Sequence, residues 1–133
     1  MLNFVICDDN ENMLNKLNKM FDSIFISNSI DANISLSSTN PSEVLDFANN
    51  HNVDVFILDI QLKSSMTGLQ LAEKIREFNK DCYIIFTTGH LEYSLVAYKL
   101  KTFDYLPKPI TVERLEETVL RLQSDIKGQP KNI

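Results

Sequence analysis

Glycine and proline are scarce in this chain, with 3 and 4 residues among 133, which excludes collagen-like and low-complexity architectures. Cysteine is scarcer still. Cys7 and Cys82 each lie in or beside an apolar run and read as small core residues of a reducing compartment, not as a disulfide framework. Long apolar runs are missing too: the longest are strand-sized, such as Val53 to Leu58, so no membrane span is expected. Met1-Leu2-Asn3-Phe4 places no basic region ahead of an apolar stretch, so no signal peptide is expected and the expected compartment is the cytoplasm. Nor is there an excess of positive charge. Eighteen acidic residues against 13 basic ones give a net charge of -5, which argues against direct nucleic-acid binding, because phosphate contacts need a basic face.

What is present is one domain's worth of sequence, 44% hydrophobic, enough for a packed core without staples. The acidity is uneven: residues 1–66 hold nine acids and three bases, and 67–133 hold nine acids and ten bases. Five short apolar runs alternate with helical patterns. Phe4 to Cys7, Asn33 to Ser37, Val53 to Leu58, Tyr83 to Phe86 and Phe103 to Leu106 predict strands. Helical spacing links Met13 to Phe25, Val44 to Ala48, Leu69 to Ile75 and Val112 to Ile126, with a shorter helix near Glu92 to Tyr98. Asn40-Pro41 reads as N-cap and first helical position, and Thr111 as another N-cap. The tail from Gly128 to Ile133 reads as the start of a linker, so the expected division is a domain over 1–126 and a linker over 127–133.

Strict alternation of strand and helix implies right-handed crossovers and a parallel sheet covered on both faces. Five such units fit a flavodoxin-like doubly wound sheet of order 2-1-3-4-5, whose ligands bind at the carboxyl ends of the strands near the switch point between the first and third. Strand one ends in Asp8-Asp9 and strand three in Asp59, so this fold brings three carboxylates to the switch point. Singly, an Asp at a strand end is usually a helix cap. Three together raise one another's pKa unless a cation offsets them, and Mg2+ suits an oxygen-rich site of this kind. Strand four ends in Thr87-Thr88-Gly89 and strand five leads into Lys108-Pro109, which places a hydroxyl, an amide and an ammonium along the same edge. Donors and cations facing a carboxylate–metal site are what a transferring phosphoryl group needs on its oxygens.

On these residues the sequence resembles a response-regulator receiver domain of two-component systems, over roughly residues 2–126. The matching positions are Asp8-Asp9, Leu58-Asp59-Ile60, Thr88-Gly89 and Lys108-Pro109. Ile84 to Thr88 and Phe103 to Pro109 are similar to receivers of LytTR-type regulators, and Leu58 to Leu62 with Gly68 to the accessory gene regulator A type of quorum-sensing regulator. The resemblance implies that Asp59 takes a phosphoryl group from the phosphohistidine of a sensor histidine kinase. It implies Mg2+ on Asp9, Asp59 and the Gln61 backbone carbonyl, with Asp8 acting largely through water. Thr88 and Lys108 would each hold a phosphoryl oxygen, Tyr105 would be the switch aromatic, and the Lys108–Pro109 bond would be cis. The activity implied is self-catalysed phosphotransfer and autodephosphorylation, not enzymatic turnover. It also implies a phosphorylation-dependent homodimer and DNA contact only through a further C-terminal domain. A stripe of Leu115, Val119 and Leu122 belongs either to that dimer face or to the core.

Lys63 stands where many receivers have proline, and the Asp59-to-Gly68 loop is one residue longer than the commonest form. Gln61 and His90 flank the site, each two residues after Asp59 or Thr88, and His51 has no visible partner. A phosphatase of the haloacid-dehalogenase type also uses an Asp nucleophile, but it wants a second Asp two residues later, where this chain has Gln61. A flavodoxin-type flavin carrier needs a hydroxyl- and Gly-rich phosphate loop after strand one, where the acidic pair would repel phosphate.

Overall fold

The computed structural model describes residues 1–64, 66–89 and 100–128. Five strands, β1 (Leu2–Cys7), β2 (Ala32–Ser38), β3 (Val55–Asp59), β4 (Tyr83–Thr88) and β5 (Asp104–Pro107), form one parallel sheet of order β2-β1-β3-β4-β5. Among the described residues four helices accompany them: α1 (Glu11–Ser27), α2 (Pro41–Asn50), α3 (Gly68–Phe78) and α4 (Val112–Gly128). This is the flavodoxin-like doubly wound fold expected from the alternation. The helix expected near Glu92 to Tyr98, and His90, lie outside the described residues.

The period-2 alternation of each strand sends its apolar side chains to opposite faces. Phe4, Ile6, Val55, Ile57 and Ile85 meet α1 and α4, whereas Val5, Cys7, Phe56, Leu58, Ile84 and Phe86 meet α2 and α3. Near-continuous apolar strands buried on both faces are what a parallel sheet requires. Phe4 sits 5.5 Å from the Phe21 ring and 5.0 Å from Phe25, which seats α1 on the sheet. Both cysteines are buried and free, and burial pushes the Cys7 thiol up to about 12, so it behaves as a core residue. Leu115, Val119 and Leu122 are also buried in the first of these cores. That stripe therefore faces inward and contributes nothing to an exposed docking face. Among the described residues, no helix is long and apolar enough to cross a membrane.

Helix starts follow the local chemistry. The Asn10 side chain accepts from the Met13 amide, the Asn40 side chain from Ser42, and Thr67 forms a reciprocal capping box with Gln70. Thr111 accepts the Arg114 amide in the same way. Strand limits differ from the sequence reading by one or two residues. β3 runs from Val55, and Asp54 just before it already pairs its main chain with both neighbours, donating to the Asn3 carbonyl and accepting the Tyr83 amide at 2.9 Å each. The Asp54 side chain accepts the Asn3 amide at 2.8 Å. β2 is the expected edge strand and runs a residue further at each end. Its register slips between Phe4 and Val5, leaving Ser35 as an extra residue. β5 ends with Pro107, whose missing N–H is tolerated on an edge strand.

One polar network fixes β5 against α4. Asp104 accepts both guanidinium nitrogens of Arg114, at 3.0 and 3.1 Å, together with the Thr118 hydroxyl and Arg121. Arg114, Thr118 and Arg121 are spaced i, i+4, i+7, one stripe of α4. Burial pushes the Asp104 carboxyl up, but the hydrogen bonds from Arg114 and Thr118 outweigh it and hold it below its ordinary value. A carboxylate depressed in the folded state stabilises fully above its unfolded pKa of about 4, and the contribution vanishes as pH falls through the lower folded value. Asp104→Asn is therefore expected to lose about 2 kcal/mol at pH 7. The difference from wild type in urea unfolding should shrink below about pH 4; a constant difference down to acid would show that charge is not the cause.

Candidate functional site

Three strand ends and one loop build the site. β1 ends one residue before Asp8, and the Asp8 Oδ1 atom accepts the Asn10 amide at 2.9 Å, turning the chain into α1. β3 ends in Asp59, whose Oδ1 accepts the Gln61 amide at 3.0 Å in an equivalent turn. Beyond β5, the Lys108 amide donates to the Thr88 carbonyl at 2.7 Å and the Lys108–Pro109 peptide is cis. Lys108 Nζ then reaches 3.0 Å from Asp8 Oδ2 and 3.1 Å from Asp59 Oδ2. One ammonium thus bridges two buried carboxylates whose side chains are only 1% and 6% exposed.

The electrostatics follow from that geometry. Burial raises the Asp8 carboxyl, and hydrogen bonds from the Asn10 amide and Lys108 only partly offset it. Desolvation alone would lower Lys108, but the contacts with Asp8 and Asp59 outweigh it and hold the ammonium above its usual range. Asp9 is the more exposed partner, and its Oδ2 accepts the Lys63 amide at 3.3 Å. Asp8, Asp9 and Asp59 each offer an oxygen, and these atoms all lie within 4.8 Å of one another. Such a spacing of hard oxygens suits a small divalent cation.

A cleft of about 810 Å³ opens over this edge, lined by Asp9, Asn10, Asp59, Gln61, Lys63 and Lys108 among others, and Gly89 forms part of its wall. Thr88 is fully buried at the end of β4 and does not line the cleft. Tyr105 pairs with Phe86 on the neighbouring strand, on the α3 side of the sheet with Phe86 and Leu100. The expected residues thus fall into two groups: Asp9, Asp59, Gln61, Gly89 and Lys108 line the cleft, with Asp8 buried against Lys108, whereas Thr88 and Tyr105 do not line it.

Three contributors escaped the sequence reading: the amides of Asn10 and Lys63, and the packing role of Gly68. Backbone amides leave no trace in residue type. A Cβ built on Gly68 would stand 2.0 Å from the Asp59 carbonyl oxygen, so its lack of a side chain lets α3 abut the residue that carries the site. Arg76 of α3 braces the approach to β5, donating to the carbonyls of Cys82 at 2.7 Å and Leu100 at 3.0 Å.

Sheet order, the carboxylate triad and the facing lysine define a CheY-like α/β module. The chain belongs to the response regulator receiver domain family, whose sequence profile matches residues 4–120. It is similar to the sensory transduction protein LytR of Staphylococcus haemolyticus, 31% identical over 93% of this chain and 46% of that protein. That agrees with the resemblance to receivers of LytTR-type regulators. Among solved structures it is similar to the response regulatory domain of mrkE from Klebsiella pneumoniae, with TM-score 0.86, 26% identity, and coverage of 96% of this chain and 100% of that one. It is also similar to the response regulator TrrA of Thermotoga maritima in complex with Mg(2+)-BeF, with TM-score 0.77, 26% identity, and coverage of 92% and 99%. The chain spans under half the length of the curated relatives it matches.

Proposed function

We propose that this receiver accepts a phosphoryl group on Asp59 and passes the change in charge to Thr88 and Tyr105. The observation that carries it is Lys108 Nζ between Asp8 and Asp59, at the open edge of the sheet. An Asp59 oxygen attacks the phosphorus of a kinase phosphohistidine whose other ring nitrogen carries the proton; a P–O bond forms, the P–N bond breaks with its electron pair going to the ring, and neutral imidazole leaves. Asp8, Asp9 and Asp59, with the Gln61 carbonyl, would hold Mg2+, which when bound neutralises charge on the carboxylates and incoming phosphoryl oxygens. Lys108 offers its ammonium to a phosphoryl oxygen, and the Gln61 amide keeps the Asp59 carboxylate oriented. A phosphoryl group adds about −1.5 to −2 charges and strong acceptor oxygens. Thr88, buried behind the cleft, is the hydroxyl that moves toward them, and Tyr105 on the same face takes up the space. The partner that supplies the phosphoryl group is a sensor histidine kinase, and the compartment is the cytoplasm. The domain runs over 1–126, and DNA is reached only through a further C-terminal domain of a transcriptional regulator.

Treatment with acetyl phosphate and Mg2+, followed by mass spectrometry, is expected to place one phosphoryl group on Asp59. Chelator or Asp59→Asn should abolish it; modification at Asp8, Asp9 or Asp54 instead would refute the assignment. Thr88→Ala should still accept phosphate while losing most of the Tyr105 NMR response to beryllofluoride. A full wild-type shift pattern in Thr88→Ala would remove that residue from the switch.

A further inference from the structure

Each carboxylate of the triad keeps one oxygen on a main-chain amide. For Asp8 and Asp59 the donor lies two residues on, in the same turn. Asp9 differs: its donor, the Lys63 amide, lies 54 residues along the chain, in the β3–α3 connection. Asp9 differs in a second way. Asp8 and Asp59 each give their other oxygen to Lys108, whereas among the described residues Asp9 Oδ1 has no hydrogen-bond donor. The more exposed member of the triad is thus held at a single point. We propose that the Lys63 main-chain amide is a positioning group for the metal: it fixes Asp9 through Oδ2 and leaves Oδ1 as the oxygen offered to Mg2+. This rests on the reading of the triad as a magnesium site.

Chemistry makes the assignment specific to the residue type at 63. A proline has no N–H to give, so the lysine found here supplies a donor that proline would withhold. At 3.3 Å this bond is longer than those that hold Asp8 and Asp59, at 2.9 and 3.0 Å, but it is the contact that restricts a side chain solvent would otherwise leave free to rotate. The contact also ties the β1–α1 turn to the β3–α3 connection, so a disturbance of exposed Lys63 and Ser64 reaches the metal through one bond. Groups that orient a metal ligand without touching the ion change affinity by about tenfold or more when removed.

The test measures Mg2+ affinity of the 133-residue chain by calorimetry and by amide NMR shifts, with Mg2+ alone as ligand. Lys63→Ala keeps the amide and serves as the reference. Replacing that alanine by lactic acid exchanges N–H for an ester oxygen and keeps the side chain, with the Leu62 carbonyl becoming a weaker acceptor. Relative to the reference, the ester is expected to bind Mg2+ about tenfold more weakly. Lys63→Pro should weaken binding similarly, and the ester, which lacks the ring, separates loss of the donor from any backbone strain. In an Asp9→Ala background neither change should weaken binding further. Equal affinity of ester and reference, or a loss that persists without Asp9, would overturn the inference. Should Asp9→Ala bind Mg2+ as tightly as wild type, the metal reading of Asp9 fails and takes this inference with it. A weakened Asp9→Ala alongside an unaffected ester overturns the role of Lys63 alone.

Discussion

Lys108→Ala is expected to slow phosphoryl transfer to Asp59 by about 100-fold and to destabilise the metal-free protein by about 3 kcal/mol. Both effects come from one atom. Nζ lies 3.0 and 3.1 Å from two carboxylate oxygens that are almost wholly buried, so its removal leaves two negative groups facing each other in a low-dielectric edge. The kinetic effect comes from the loss of a fixed cation where phosphoryl oxygens develop charge. The stability effect comes from the uncompensated pair. They separate experimentally, because a divalent cation can replace the missing positive charge on the carboxylates but not the ammonium on the phosphoryl oxygen. Urea unfolding in chelator should show the full deficit, and Mg2+ should recover most of it while the transfer rate stays low. The wild-type ammonium is held above its usual range, so its contribution is complete at neutral pH. It is lost only as pH rises through that elevated value. An unchanged urea midpoint in chelator would mean that Lys108 is not what neutralises Asp8 and Asp59.

Asp8-Asp9, Asp59 and Lys108 were legible in the sequence because strand-end position is a topological property. Once the strands alternate with helices, the switch-point rule assigns those residues to one edge without any coordinates. The apolar runs were legible for a similar reason: a strand buried on both faces cannot hide its composition. The limits of β3 and β5 were less so: Asp54 pairs its main chain with both neighbours just outside the strand, and the Lys108 amide still donates to Thr88 beyond Pro107. Arg114, Thr118 and Arg121 share a helical stripe visible in the sequence, but their common acceptor, Asp104, is a strand residue of no special pattern. What the Lys63 amide does was not legible at all. It depends on two turns from distant parts of the chain meeting within 3.3 Å. The stripe of Leu115, Val119 and Leu122 fits either core or docking face in the sequence, because periodicity shows that a helix has an apolar side without saying what covers it.

Gly68→Ala should disable the site without touching any group that reacts. The added methyl carbon would stand 2.0 Å from the Asp59 carbonyl oxygen, 2.7 Å from its carbonyl carbon and 2.9 Å from the Ile60 Cα. All three are backbone atoms, so no side-chain rotation relieves the overlap. Either α3 retreats from β3 or the turn after Asp59 moves. The Gly68 amide also donates to the Ile60 carbonyl at 2.9 Å, and retreat stretches that bond. Overpacking of this kind is expected to lower stability by about 3 kcal/mol. Displacement of the residue that carries the reacting carboxylate should lower phosphoryl acceptance by about 100-fold. Gly89→Ala gives the contrast in stability, because a Cβ there meets nothing within 4 Å. Urea midpoints of the two variants, measured beside wild type, separate close approach from the general effect of replacing a glycine. A Gly68→Ala protein as stable as Gly89→Ala, and phosphorylated at the wild-type rate, would show that α3 does not hold Asp59 in place.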